Sequence, residues 1–519
     1  MANNDLKLLD CTLRDGGYIN DWNWGYHNAR AIIRYLSKAK VDFVEVGFLR
    51  NVEGYNSDIT VCNTIEELNR LLPEKINDTT VYSAMAMRSN YDIKKLTPYS
   101  GNGIEMIRIT AHDYDIEDGM DFAREVQAKG YKLSINPINI MGYSDEKILW
   151  IIDQVNQIKP YQFSIVDTFG SMKRRDLDRI VSLVDNNLDK SIRVALHLHE
   201  NMALSCSLAQ QFVDKHLNRP VAIDGSLLGM GRIPGNLPIE LIADYLNEYA
   251  DKTYDIDYMM DAIQDYIEPI KGKSEWGYTP AYFLSARFNL HRNYAEHYLG
   301  KGDLSNRDIN HILAGFDRTK ATAFDVKYAD DKYIEYKNNI IDDSEDFTKL
   351  RMLIKDKNIL LLAPGSSIVN QKENIEDYIS KNSPIIISIN FIPEIYNVDF
   401  AFFSNGKRFA QKMNSDCGLI VSSNIETDTE VIKLNYNRLA SSFDQGYNSY
   451  IMLLKLLKDV GINEVAVAGA DGYSGSKKDY YKSTIQSLSQ HDINYNVEVA
   501  KAVKSVGISV NYITPTEYI

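Results

Sequence analysis

Two short segments hold the residues best suited to chemistry. The first, Asp10-Cys-Thr-Leu-Arg14-Asp15-Gly16-Gly17-Tyr18, sets a guanidinium beside a carboxylate, ahead of two glycines that allow a tight backbone. The second, Ala195-Leu-His197-Leu-His199-Glu200-Asn201, spaces two imidazoles two residues apart. On a β-strand, residues i and i+2 face the same side, so His197 and His199 would present both rings to one point. Two imidazoles and a carboxylate suit a divalent metal with open coordination positions. Nine histidines in 519 residues would produce about 0.16 such pairs by chance, so the pair gains meaning only from its setting. The ordinary alternatives are structural histidines with satisfied hydrogen bonds, a loop or cap carboxylate at Asp15 and a surface salt bridge at Arg14.

The setting is a strand end. Short apolar, β-branched runs at Lys7–Cys11, Val41–Phe48, Val81–Met87, Met106–Thr110, Lys132–Ile138, Gln162–Val166, Arg193–Leu198 and Val221–Ile223 predict eight strands. Between them, helical periodicity appears at Ala29–Lys40, Ile65–Leu72, Gly119–Gly130, Asp145–Ile158, Arg175–Leu188 and Ser205–Leu217, each closing near a Gly, Pro or polar break. Strand and helix are expected to alternate eight times. Near-continuous apolar strands imply a parallel sheet covered on both faces, and eight units in about 250 residues fit an α/β fold of the (β/α)8 TIM-barrel type better than an open sheet. An open doubly wound sheet would place a glycine-rich dinucleotide turn after its first strand, and Arg14 to Tyr18 do not form one. Barrel active sites lie at the C-terminal strand ends, where both chemical segments fall, on the first and seventh strands.

After Glu240 the pattern turns helical and aromatic, then charged and irregular around Ala329–Asp346. A second alternating region opens at Asn358 with NILLLAP and continues through PIIISIN, VDFAFFSN, CGLIVSSN, the helical NSYIMLLKLLKDVG, NEVAVAGADGYSG and ISVNYIT. The expected organisation is a barrel over 1–270, a helical extension and linker over 271–350, and a smaller Rossmann-like α/β domain over 351–519. With 57 Lys plus Arg against 71 Asp plus Glu, the net charge of -14 repels nucleic acid and anionic membranes over most of the surface. Four scattered cysteines without a Cys-x-x-Cys pair read as reduced thiols, and with no signal peptide or membrane span in the sequence, a cytoplasmic protein is expected.

The strings LDCTLRDGGY and HLHENMALS, with Asp224-Gly-Ser-Leu-Leu-Gly-Met-Gly-Arg-Ile-Pro-Gly-Asn236, resemble the metal-dependent aldolase, lyase and synthase superfamily. That superfamily includes 4-hydroxy-2-oxovalerate aldolase, hydroxymethylglutaryl-CoA lyase and isopropylmalate synthase. The resemblance covers about residues 5–300, with motifs in order on strands one, seven and eight. It implies Asp15, His197 and His199 as ligands of Mn2+ or Mg2+, with Zn2+ or Co2+ left open by the two imidazoles, and Arg14 as the enolate-stabilising residue. Substrates would be pyruvate or a related 2-oxo acid and an aldehyde, and a homo-oligomer would be expected.

Departures from the superfamily pattern choose the branch. CoA-dependent members commonly read Arg-Asp-Gly-x-Gln; the glutamine is missing here, which favours an aldolase over a Claisen-type enzyme. Hydroxyoxovalerate aldolases usually carry His at the position of Tyr18, so Tyr18 and Tyr278 are the candidate proton-transfer groups. Glu45 and Thr168 occupy strand ends where the superfamily places substrate contacts, and Asn236 is a candidate ligand or ligand-orienting residue. In the C-terminal region, the turn Gly365-Ser366-Ser367 has the small residues that cradle a phosphate. Its layout with Ser388-Ile-Asn390, Phe403-Ser-Asn405 and Gly469-Ala-Asp471 resembles nucleotide-using, sialyltransferase-like domains of surface-glycan enzymes. That resemblance implies a nucleotide or nucleotide sugar, and an aldehyde that is a modified sugar. The competing reading outside catalysis is a retired barrel that acts as a scaffold for the second domain.

Overall fold

A strand whose consecutive residues are apolar is stable only with both faces covered. The computed structural model describes residues 5–73, 79–232, 234–337, 341–412, 416–439, 448–474, 480–482 and 494–518. Its first eight long strands are β1 (Leu6–Asp10), β2 (Phe43–Leu49), β3 (Val81–Ala86), β4 (Met106–Ala111), β5 (Lys132–Pro137), β6 (Gln162–Asp167), β7 (Arg193–Leu198) and β8 (Val221–Gly225). Nearly every residue in them is buried. All neighbours pair in parallel, and the sheet closes because β1 pairs with both β2 and β8. Leu9 lies opposite Phe43, and Leu6 to Asp10 lie opposite Val221 to Gly225. This is the expected TIM barrel.

Helices follow seven of the eight strands: α1 (Tyr26–Lys38), α2 (Ile65–Asn69), α3 (Ile116–Ala128), α4 (Asp145–Ile158), α5 (Arg174–Asn187), α6 (Ser205–Asp214) and α7 (Ile239–Tyr249). Each buries one apolar stripe, such as Ile32, Ile33 and Leu36 on α1. A capping box of Thr64 and Glu67 starts α2, and the Ser144 hydroxyl starts α4. The eighth helix expected from strict alternation does not form. Two single 3-10 turns, Arg88–Asn90 and Ile93–Lys95, link β3 to β4. That segment contains Pro98, and Gly101 and Gly103 at φ +87° and +82°, which a continuous helix does not accommodate.

The chain folds as two compact units, Met1–Arg292 with Asp317–Phe324, and Asn293–Phe316 with Asp325–Ile519. Helices from the expected 271–350 extension fall in both: Pro280–Arg287 in the first, and Asn293–Gly300, Asn306–Ala314, Val326–Lys337 and Ser344–Ile354 in the second. The second unit holds a parallel sheet of β9 (Ile359–Leu362), β10 (Ile385–Ile389), β11 (Phe400–Phe403), β12 (Gly418–Ser422), β13 (Ile432–Leu434), β14 (Glu464–Ala468) and β15 (Ser509–Tyr512). The spatial order is β13-β12-β11-β10-β9-β14-β15, the α/β layout expected there with one further short strand, β13. The apolar helix Ser449–Val460 is buried in its core, started by the Asn448 side chain and ended at Gly461. Among the described residues no helix is long and apolar enough to cross a membrane.

Asp10 ends β1 fully buried, accepting from the Thr12 N–H at 3.0 Å and the Thr12 hydroxyl at 2.7 Å. Burial outweighs these bonds and pushes its carboxyl up to about 7. Since the folded pKa lies above the ordinary one, the ionised form is disfavoured, and stability falls as pH rises from about 4 to about 7. Asp10→Asn keeps an acceptor for the Thr12 N–H and removes the ionisation. Urea unfolding at pH 5 and pH 8 should show the wild type losing at least about 1 kcal/mol more than the variant between the two; equal losses would refute the assignment.

Candidate active site and metal centre

Beyond β1 the chain makes a helical turn, Thr12–Asp15, in which Arg14 and Asp15 are buried. Trp22 packs so closely on the following loop that a Cβ at Gly17 would lie 2.0 Å from its ring, and Trp22 Nε1 donates to the Arg14 carbonyl at 2.7 Å. Close approach, rather than an unusual backbone angle, therefore requires this glycine.

His197 and His199 arrive from the end of β7. His199 Nδ1 stands 2.9 Å from the carbonyl oxygen of Asp167 on β6, and His197 Nδ1 stands 3.2 Å from Asp224 Oδ2 on β8. A carbonyl oxygen only accepts, so the neutral His199 ring carries its proton on Nδ1 and turns Nε2 toward Asp15, while His197, with Nδ1 beside the Asp224 carboxylate, also turns Nε2 toward Asp15. Asp15 Oδ2 lies 3.6 Å from His197 Nε2 and 3.8 Å from His199 Nε2. That oxygen is buried and has no hydrogen-bond partner. One ligand atom from each of Asp15, His197 and His199 falls within 4.8 Å of the others. An orphaned carboxylate oxygen facing two imidazole nitrogens, one of them oriented by a backbone acceptor and the other flanked by a carboxylate, fits a divalent cation.

These groups belong to a closed ring of charge. Arg14 reaches Asp15 Oδ1 at 2.9 Å and Glu45 Oε2 at 2.7 Å. Glu45, on β2, also takes Arg108 Nη1 at 3.1 Å. Arg108, on β4 and 1% exposed, pairs next with Asp224 and donates to Asn136 Oδ1 at 3.2 Å. Asp224 meets His197, and His197 faces Asp15. Burial pushes the Asp15 and Asp224 carboxyls up, but the guanidiniums and imidazoles around them win and hold both below the usual range. His197 goes up, since Asp15 and Asp224 outweigh its burial, while burial and the neighbouring His197 push His199 down to about 4.

The ring lies at a cavity of about 340 Å³ lined by Arg14, Asp15, Arg108, His197 and His199, with apolar walls that include Phe48, Met85, Val166 and Phe169. Tyr18 and Thr168 line the same cavity. The Tyr18 hydroxyl accepts from Arg50 Nη2 at 3.3 Å, and Thr168 Oγ1 accepts the Asn139 N–H at 2.7 Å. Glu45 is fully buried within the charge ring. Asn236 is fully buried, bridges His199 through its backbone, donates from Nδ2 to the Met230 carbonyl at 3.2 Å and leaves Oδ1 without a partner. Tyr278 is 54% exposed and does not line the cavity. Gly365, Ser366 and Ser367 lie in the second unit, where the Asp471 carboxylate accepts from the Ser367 N–H at 2.8 Å, from the Ser367 hydroxyl and from the Ser366 hydroxyl at 3.3 Å. A carboxylate thus takes donors that a phosphate would use.

Sequence reasoning passed over Arg108, Asp224 and Asn136. The signal was present: Arg108 and Asp224 are lone charges inside apolar runs, MIRIT and VAID, and a charge on a buried strand needs a buried partner. The HMGL-like family model matches residues 5–265, just over half of the chain. The chain belongs to the HMGL-like family. Members are metal-dependent lyases and aldolases, and this protein is an enzyme of that class. It is similar to an oxaloacetate decarboxylase of Mycobacterium tuberculosis, 23% identical over 239 residues that make up 45% of this chain and 68% of the relative. A 4-hydroxy-2-oxovalerate aldolase of Thermomicrobium roseum is 25% identical over 247 residues, 46% of this chain and 65% of that one. The two alignments thus span about two thirds of each relative. Among solved structures, the N-terminal domain of a candidate aldolase from Bacteroides vulgatus aligns with 56% of this chain and 96% of its own at 23% identity, with a TM-score of 0.47.

Removing one member of the charge ring exposes its dependence on the others. Arg108→Met leaves Glu45 and Asp224 short of a buried partner and is expected to cost about 3–5 kcal/mol in urea unfolding, with Glu45→Gln in the same chain recovering part of it. A loss below about 1 kcal/mol would mean that the ring is not energetically coupled.

Proposed function

We propose that this HMGL-like barrel is an aldolase that joins the enolate of pyruvate, or of a related 2-oxo acid, to an aldehyde, or cleaves the resulting 4-hydroxy-2-oxo acid. The observation that carries this reading is the convergence of Arg14 and the Asp15, His197 and His199 donor set on one buried cavity. In either direction the reaction passes through an enolate, whose charge must be stabilised where it develops. Mn2+ or Mg2+, with Zn2+ or Co2+ also suited to the nitrogen donors, would be held by Asp15, His197 and His199 and would supply Lewis acidity at the 2-oxo oxygen. We assign Asn236, with its unpartnered Oδ1 beside His199, as a further ligand or ligand-orienting group.

Arg14 is held by Glu45 and Asp15, so its guanidinium meets the developing oxyanion without reorganising. Thr168 Oγ1 already accepts from Asn139, which leaves its own proton to bind the pyruvate carboxylate. Glu45 acts through Arg14 rather than on substrate. Tyr18 lines the cavity and is the proton-transfer group in this scheme; Tyr278, which does not line it, is given no part. Apolar walls exclude water that would protonate the enolate.

Oxaloacetate decarboxylation, the activity named for one relative, generates the same pyruvate enolate and is the second reading. A Claisen-type acyl-CoA reaction is disfavoured by the missing glutamine, and a retired scaffold by the complete charge ring. A nucleotide at Gly365–Ser367 would have to displace Asp471 from its donors, and the barrel chemistry does not depend on it.

Pyruvate methyl-proton exchange in D2O, followed by NMR, tests enolisation without an aldehyde. Exchange should require added Mn2+ or Mg2+, and His199→Ala should lower it at least about 100-fold. Equilibrium dialysis should show Mn2+ retained by the wild type and released by Asp15→Asn. Wild type that binds metal yet exchanges nothing would sink the enolate reading. Carbon dioxide release from oxaloacetate, with no product formed from any aldehyde, would move the assignment to the decarboxylase.

A further inference from the structure

We propose that the aldehyde partner carries an anionic group, a carboxylate or a phosphate, and that Arg232 selects it. The inference rests on the enolate reading above and deepens it. Within the cavity, Arg14 and Arg108 are already balanced by Asp15, Glu45 and Asp224. Arg232 also lines the cavity, from the loop after β8, but stands outside that ring. Among the described residues it forms no ion pair with a carboxylate.

Two uncharged surfaces hold Arg232 instead. Its Nη2 lies 3.0 Å from His291 Nε2, and its Cζ sits 5.5 Å from the centre of the Tyr18 ring. Burial, with Arg232 and Arg292 beside it, pushes the His291 imidazole down to about 3, so this ring accepts from the guanidinium without cancelling its charge. A guanidinium carries five N–H donors in a rigid fork, and an imidazole nitrogen and a π-face leave most of them for an anion. His112, which lines the same cavity, is likewise pushed toward its neutral form by burial.

A second cation meets the hydroxyl of the same tyrosine. Arg50 donates to the Tyr18 hydroxyl, lies 3.9 Å from the centre of the Phe48 ring and 4.7 Å from that of Trp22, and keeps a buried Nε without a partner. Tyr18 therefore serves two guanidiniums, one as a platform and one as an acceptor. A histidine at this position would add a cation to the pair when protonated. Partly desolvated guanidiniums without carboxylates are costly to keep, and an anionic ligand offsets that cost. In a chain of net charge -14, this is a local reversal of sign that draws an anion to the cavity.

The test compares kcat/KM for succinic semialdehyde and glyceraldehyde 3-phosphate with that for neutral butanal, using pyruvate as donor, in the wild type, Arg232→Gln and Arg232→Lys. The wild type should favour at least one anionic aldehyde by about 10- to 100-fold, and whichever it favours identifies carboxylate or phosphate. Arg232→Gln should bring that ratio near one, chiefly through the aldehyde KM, and Arg232→Lys should restore part of it. A wild-type ratio near one, a ratio unchanged in Arg232→Gln, or a loss confined to the pyruvate KM would each overturn the proposal. Pyruvate exchange in the absence of aldehyde separates the two levels: exchange without anion preference removes this inference alone, whereas no exchange removes the enolate reading and this inference with it.

Discussion

Arg14 and Arg108 are buried guanidiniums, and neither position is tenable without carboxylates at hydrogen-bond distance. The closed path Arg14, Glu45, Arg108, Asp224, His197, Asp15 supplies them, and each member comes from a different part of the barrel wall or from the turn beyond β1. Closure matters because every charge then has two neighbours of complementary character. The ring therefore ties β1, β2, β4, β7 and β8 together where an apolar core would otherwise be needed, and it does so at the end of the barrel where chemistry takes place.

The character of the site follows from that arrangement. Asp15 stays ionised despite complete burial because Arg14 and the imidazoles outweigh desolvation. His197 is oriented by Asp224, which is itself held by Arg108, so a residue remote from the donor set governs how an imidazole faces Asp15. His199 is aimed by a backbone carbonyl alone and is pushed toward its neutral form. The two histidines of one His-x-His pair thus sit in opposite electrostatic surroundings while turning the same nitrogen toward the same carboxylate oxygen.

Much of this was legible beforehand. The eight apolar runs became the eight barrel strands within a few residues, because a parallel strand buried on both faces leaves a continuous apolar signature. Arg14, Asp15, His197 and His199 converge as their strand ends implied. The link between β3 and β4 was less legible, since strict alternation predicts a helix where Pro98, Gly101 and Gly103 prevent one. Strand β13 is not legible in the sequence because Ile432–Leu434 is three residues long with a lysine at its centre. Tyr278 lies two residues beyond Trp276, which is buried and donates to the Leu228 carbonyl, yet is itself half exposed and does not line the cavity; local pattern does not tell which aromatic of a run is buried.

Residue order by itself determined the strands, their parallel pairing and the strand ends at which each polar group would emerge, since periodicity and connection length are local properties of the chain. Which polar group would face which was decided only by closure of the barrel. Arg108 meets Asp224 across 116 residues of sequence and Glu45 across 63, and Asp471 reaches the Ser367 N–H across 104. Such partnerships depend on barrel register and on the order of strands in a sheet, which set distances that no spacing along the chain encodes. Tyr18, read from the sequence as a substitute acid or base, also contacts Arg50 through its hydroxyl and Arg232 through its ring, and only packing brings those two cations to one side chain.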